Sequence, residues 1–176
     1  MFKRMTGGFC VRLFATALAL STPAAILHAA APPTQATSQA TIIHPLTVTK
    51  LRDMDFGYVA VTAAGTAVLD PDTDTLGVTG GALAVGGTPH CAEFVGAAQS
   101  NSVVNIKVPN QPSTLTRVGG TETLTANNFT LQGGLSKRTL AKSDSFTFRV
   151  GATLTVPATA VEGTYVGTFN VTVQYP

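Results

Sequence analysis

The last fourteen residues, Gly163 to Pro176, place the tightest constraint on the fold: a glycine, then strict alternation, then a penultimate tyrosine. Successive side chains of an extended chain point to opposite faces. Tyr165, Gly167, Phe169, Val171, Val173 and Tyr175 therefore share one side, and Thr164, Val166, Thr168, Asn170, Thr172 and Gln174 the other. One face is apolar and the other mostly polar, the signature of a half-buried strand. Read as one strand, this segment runs roughly 40 Å at about 3.3 Å per residue, longer than most, and an exposed edge of that length is a template for another chain.

The same kind of pattern recurs upstream. Short β-like runs at Phe56 to Val61, Thr66 to Leu69, Leu76 to Val78, Ala82 to Val85, Ala92 to Val95, Val103 to Val108, Leu115 to Val118, Phe129 to Leu131, Ser145 to Val150 and Leu154 to Val156 are rich in valine and threonine. No segment has a helical period. Gly-Gly pairs at 80/81, 86/87, 119/120 and 133/134 are read as turns between runs. Many short strands without helical spacers predict an all-β chain, an immunoglobulin-like β-sandwich, with a jelly roll as the alternative.

Residues 1–30 read as a secretory signal peptide: Lys3, Arg4 and Arg12 make a basic start, Leu13 to Leu20 is apolar, and small residues follow at Ala29 to Ala31. That apolar run is too short to span a bilayer, which needs about 20 residues, so no transmembrane segment is expected in the mature chain. The protein is expected in the periplasm, at the cell surface or outside the cell. Residues 31–40, with no charge and no large apolar side chain, read as a flexible leader, and 41–176 as a single domain. Three of the eleven Lys and Arg fall in the signal, leaving eight against nine Asp and Glu. A net charge of −1, with basic residues scattered and Lys137-Arg138 read as a solvated turn, removes the electrostatic basis for nucleic-acid binding. Only Cys91 remains after the signal, so no intramolecular disulfide is available and packing must supply stability.

Few residues carry chemistry. His90 beside Cys91 does not make a nucleophile and base, because neighbours on a strand face opposite ways. No catalytic residue and no cofactor is expected. Asp70, Asp72 and Asp74 in D-P-D-T-D are a weak candidate for a calcium loop, but loop positions six and twelve hold Thr75 and Gly81, where a glycine and a glutamate belong. A solvated turn is the competing reading. Asn128-Phe129-Thr130 and Asn170-Val171-Thr172 are sequons with meaning only in a eukaryotic secretory route. Near the start, Ile42, His44, Leu46 and Val48 share one face of an extended segment, and Pro45 suits an edge strand because it lacks an N–H.

Several of these elements coincide with a family pattern. I-x-x-P-L-x-V at Ile42 to Val48, Asp53-Met54-Asp55-Phe56-Gly57, Ala92-x-Phe94, and Phe148 to Val156 followed by the alternation from Gly163 to Tyr175 resemble a bacterial secreted family, the domain-of-unknown-function 4402 family. The ending is also similar to subunits of chaperone-usher pili, with Gly163 fourteenth from the C-terminus and Tyr175 penultimate. That resemblance implies a sandwich lacking one strand, filled by a periplasmic chaperone and then by the N-terminal arm of the next subunit. It implies Ile42, Leu46 and Val48 as arm residues, and Gly163, Tyr165, Phe169, Val171, Val173 and Tyr175 as the pairing strand.

Two functions follow as expectations. One is a non-enzymatic exported structural protein, a pilus- or fimbria-like subunit that self-associates or binds a periplasmic chaperone by strand addition. The other is a monomeric secreted binding module, for a glycan or surface component, on a closed sandwich that pairs Thr41 to Thr49 within its own chain.

Overall fold

In this computed structural model the described residues are 37–134, 136–139 and 144–176, with backbone alone for 137–139. The signal at 1–30 and the leader up to residue 36 lie outside them. Among the described residues eleven strands form: β1 Thr47–Arg52, β2 Tyr58–Asp70, β3 Thr75–Gly86, β4 Ala92–Ala97, β5 Val103–Lys107, β6 Ser113–Arg117, β7 Thr123–Leu131, β8 Lys137–Thr139, β9 Ser145–Val156, β10 Tyr165–Val166 and β11 Thr172–Gln174. All ladders are antiparallel. The large sheet runs β1-β4-β9-β7-β6-β10, with β2 also on β9 and β3 on β2; the small sheet runs β11-β5-β8. The chain is the expected all-β sandwich. No helix among the described residues is long and apolar enough to cross a membrane.

Strand β9 is the spine. Its even-numbered residues Phe146, Phe148, Val150, Ala152, Leu154 and Val156 are all buried, so the two runs seen in the sequence are one strand of twelve residues. The main core gathers Phe146, Phe148, Val150 and Ala152 with Phe129 and Leu131 of β7 beneath Val104 and Ile106 of β5, so the small sheet covers the middle of the large one. On β7 the buried phase shifts from Leu124 and Ala126 to Phe129 and Leu131. The shift is a bulge: β7 advances from Asn127 to Thr130 while β9 moves only from Thr153 to Gly151. Asn128 takes a φ of 48° there, a left-handed turn that asparagine accepts more readily than other side chains.

Strands β1 to β4 form one continuous hairpin. The pairing keeps nearly constant register from Thr47–Ala97 through Asp55–His90 and Tyr58–Gly86 to Asp70–Thr75. Yet β4 and the far end of β2 both pair with the same edge of β9, since β7 holds the other. The hairpin must therefore fold back on itself, and it does so where the ladder skips between Val61 and Gly65. Gly80 has a φ of 67° at this fold, and a Cβ on Gly81 would collide with the backbone of Ala63. The 80/81 pair is thus a crease inside β3, and the runs read as four short strands are two long bent ones. The fold encloses a second cluster, in which Val59, Val61, Leu76 and Val78 pack on Ala67, Leu124, Leu154 and Val156. Lys137 and Arg138 lie in strand β8 rather than a turn.

Candidate functional site

The C-terminal segment is not one twelve-residue strand. Tyr165 and Val166 pair with Arg117 and Thr116 in the large sheet, whereas Thr172 to Gln174 pair with Lys107 to Asn105 in the small one. Between them the chain changes sheets, as strands do at sandwich corners. It passes close over β6, where a Cβ on Gly167 would lie 2.6 Å from the Thr114 carbonyl oxygen, and the Ser113 hydroxyl donates to the Thr168 carbonyl at 2.7 Å. Gly163, with a φ of 150°, starts the segment against the side chain of Arg117.

Alternation survives the break. Tyr165 packs on the second cluster, and Phe169, Val171, Val173 and Tyr175 on the main core, each half-buried, while the threonines between them face solvent. Phe169 is the anchor, with ring centroids 5.1 Å from Phe129 and 6.5 Å from Phe94. The Tyr175 hydroxyl accepts from the Gln99 N–H at 2.9 Å and donates to the His44 carbonyl at 3.0 Å, so the penultimate residue joins the end of the chain to the segment ahead of β1. Replacing Tyr175 by Phe should remove both bonds, cost about 1–2 kcal/mol in urea unfolding, and speed amide exchange at Gln99. Unchanged exchange there would show that the hydroxyl holds nothing.

At the N-terminal side the pairing begins later than the sequence pattern indicates. Thr41 to Leu46 form no ladder, and β1 starts at Thr47, just past Pro45, whose missing N–H ends the pairing in that direction. Ile42 is 94% exposed, Leu46 is half-buried against the main core, and Val48, opposite Gly96, is 37% exposed. The hydrogen bond from Tyr175 to His44 joins the arm to the closing strand, which takes its ladders from β5 and β6.

The acidic turn at the hairpin tip is a junction that sequence reasoning did not foresee. Asp70 accepts from the Asp72 N–H at 2.9 Å and the Thr73 hydroxyl at 3.0 Å, and these bonds hold its carboxyl below the ordinary value. Asp72 accepts from the Gly133 N–H at 2.6 Å. Asp74 accepts from the Cys91 N–H at 2.8 Å and from Arg52 Nη2 at 2.6 Å, with Arg149 Nη1 at 3.7 Å. The three carboxylates thus diverge onto separate donors instead of converging on one point. Among the described residues no group of three or more His, Cys, Asp and Glu is placed to hold a metal ion. Burial, then the Asp74 charge, pushes the Cys91 thiol up to about 12, so it stays protonated and unsuited to attack. His90 Nδ1 lies 2.6 Å from the Thr88 carbonyl oxygen.

These features define an all-β sandwich in which the segment ahead of β1 meets the closing strand at Tyr175. Residues 46–175 match a family model described as "Domain of unknown function (DUF4402)", and the chain belongs to that family. No curated protein and no solved structure matches it.

Proposed function

We propose that the protein is an exported, non-enzymatic structural subunit of the cell surface, of the pilus or fimbria kind, which associates by β-strand addition with further copies or with a periplasmic chaperone. The observation that carries this reading is the uncovered apolar arm. Ile42 and Ile43 are 94% and 52% exposed in an unladdered segment leading straight into an edge strand. Burying each side chain against a partner would contribute about 1.5–3 kcal/mol, and main-chain pairing along an open edge adds to it. Strand β11 offers such an edge, since its ladder is with β5 alone among the described residues. In an Ile42→Asp/Ile43→Asp double variant the assemblies should disappear from size exclusion and unheated gels while the unfolding midpoint stays put. A parent chain that is itself monomeric at high concentration overturns the reading.

A second reading has its own observation. Strand β1 pairs with β4 of the same chain from Thr47 to Arg52, as a closed sandwich requires. A monomeric exported binding module fits that pairing, and a glycan array or pull-down against surface components identifies its ligand.

A further inference from the structure

We infer that β1 is an exchangeable strap: β1 of one copy can replace its counterpart on β4 of a second copy. This rests on the strand-addition reading, but it names a different acceptor, an edge that each single copy already fills.

Strand β1 covers little of the sandwich. Thr47 to Leu51 are all exposed, Leu51 at 57% and Val48 at 37%, and none of them joins either buried cluster, so the side chains of the strand shield little of the core. What holds it is main-chain pairing from Thr47–Ala97 to Arg52–Glu93, interrupted by a bulge between Lys50 and Arg52, together with one anchor near each end. At the leading end His44 accepts from Tyr175 and Leu46 rests on the core; at the trailing end Arg52 donates to Asp74. Every one of those partners, β4, Tyr175 and Asp74, belongs to the body of the sandwich rather than to the arm. A guest β1 therefore finds the same ladder and the same two anchors as the native one, and the bonds broken on leaving are re-formed in kind. Lifting the strand exposes little apolar surface, which places it among the segments that open most easily.

The connection permits the move. Residues Asp53 to Gly57 join β1 to β2, held by the Asp55–His90 bridge and by Met54 and Phe56, which pack half-buried on the main core, and once released they span about 17 Å extended. Each copy has one strand to give and one edge to receive. Reciprocal exchange closes a dimer, whereas one-way exchange continues head to tail into a filament.

Thr47 and Ala97 are exposed partners across the ladder, which makes a direct test available. Full chains in which Cys10 is replaced by Ser, carrying Thr47→Cys alone and Ala97→Cys alone, are mixed in denaturant, refolded together and oxidised; Cys91 is fully buried in the folded protein and does not compete. The mixture should give disulfide-linked dimers at least ten-fold above either variant refolded alone. In the double variant Thr47→Cys/Ala97→Cys, oxidised as a dilute monomer, the strap is locked and assembly of the concentrated protein should fall by a similar factor. Assemblies that form without the cross-link, and persist when the strap is locked, overturn the exchange and leave strand addition at another edge standing. A chain that forms no assemblies and yields only the intramolecular disulfide overturns both.

Discussion

Replacing Phe148 by Ala should destabilise the protein by about 3–5 kcal/mol, the range for removing a large aromatic from a packed interior. Phe148 is fully buried at the centre of β9. Its ring stacks on Phe94 of β4 at 5.3 Å between centroids and on Phe146 at 6.0 Å. Phe94 in turn meets the edge of Phe169, so a file of rings is one of the contacts that couple the C-terminal segment to the spine of the large sheet. A domain of this size has only about 5–15 kcal/mol in reserve, so the loss removes a large fraction of it. Urea titration followed by circular dichroism measures the change. Phe148→Leu, which keeps most of the volume, should recover more than half. If alanine costs no more than leucine, the file of rings is not what joins the two sheets.

The sequence was most informative where burial alternates without interruption. Phe146, Phe148 and Val150 read as one face of a strand because nothing displaces their period, and the same holds for Phe169 to Tyr175, half-buried at every second residue. It misled where the backbone bends while the period continues. Gly80-Gly81 has the composition of a turn, and only the pairing of both β4 and β2 with one edge of β9 reveals it as a crease. Likewise Gly167 keeps its place in the alternation, yet it is where the closing strand leaves one sheet for the other, a step set by its contact with β6. Local chemistry specifies the face a residue presents; which strand lies beside it is decided by contacts far away in the chain.

The candidate site shows the same division. The apolar phase of the closing strand was legible, because side-chain period depends on neighbours two residues away. The late start of β1 was half legible: Pro45 marks an edge, but His44 turns its carbonyl to Tyr175, 131 residues further on. Nothing local tells that Asp74 answers Arg52 and Arg149, which arrive from β1 and β9. In the D-P-D-T-D run Asp70 closes the turn, Asp72 takes the Gly133 N–H, and Asp74 fastens the tip of the folded hairpin to β1 and β9.

That fastening should be visible in the acid stability of the fold. Burial acts to raise the Asp74 carboxyl, but the Cys91 N–H, the Arg52 hydrogen bond and the charges of Arg52 and Arg149 together outweigh it and hold the group below its ordinary value. The Arg52 guanidinium is held above its own, chiefly by the same hydrogen bond, so it stays charged throughout. A carboxyl depressed on folding binds fewer protons in the native than in the unfolded state. Its contribution is complete above the unfolded value, about pH 4, and is lost as pH falls through the folded one. Asp74→Ala should cost about 2–4 kcal/mol at neutral pH, because it takes the nearest carboxylate from Arg52, removes a charge beside Arg149 and leaves the Cys91 N–H without its acceptor. Asp74→Asn, which keeps an oxygen for Cys91, should cost less. Both should flatten the fall in unfolding free energy between pH 5 and about pH 3, with a residual slope from Asp70, whose carboxyl is also depressed on folding. The measurement is urea unfolding at half-unit pH steps. If the Asn variant and the parent decline in parallel over that window, Asp74 is not the group that couples the fold to acid.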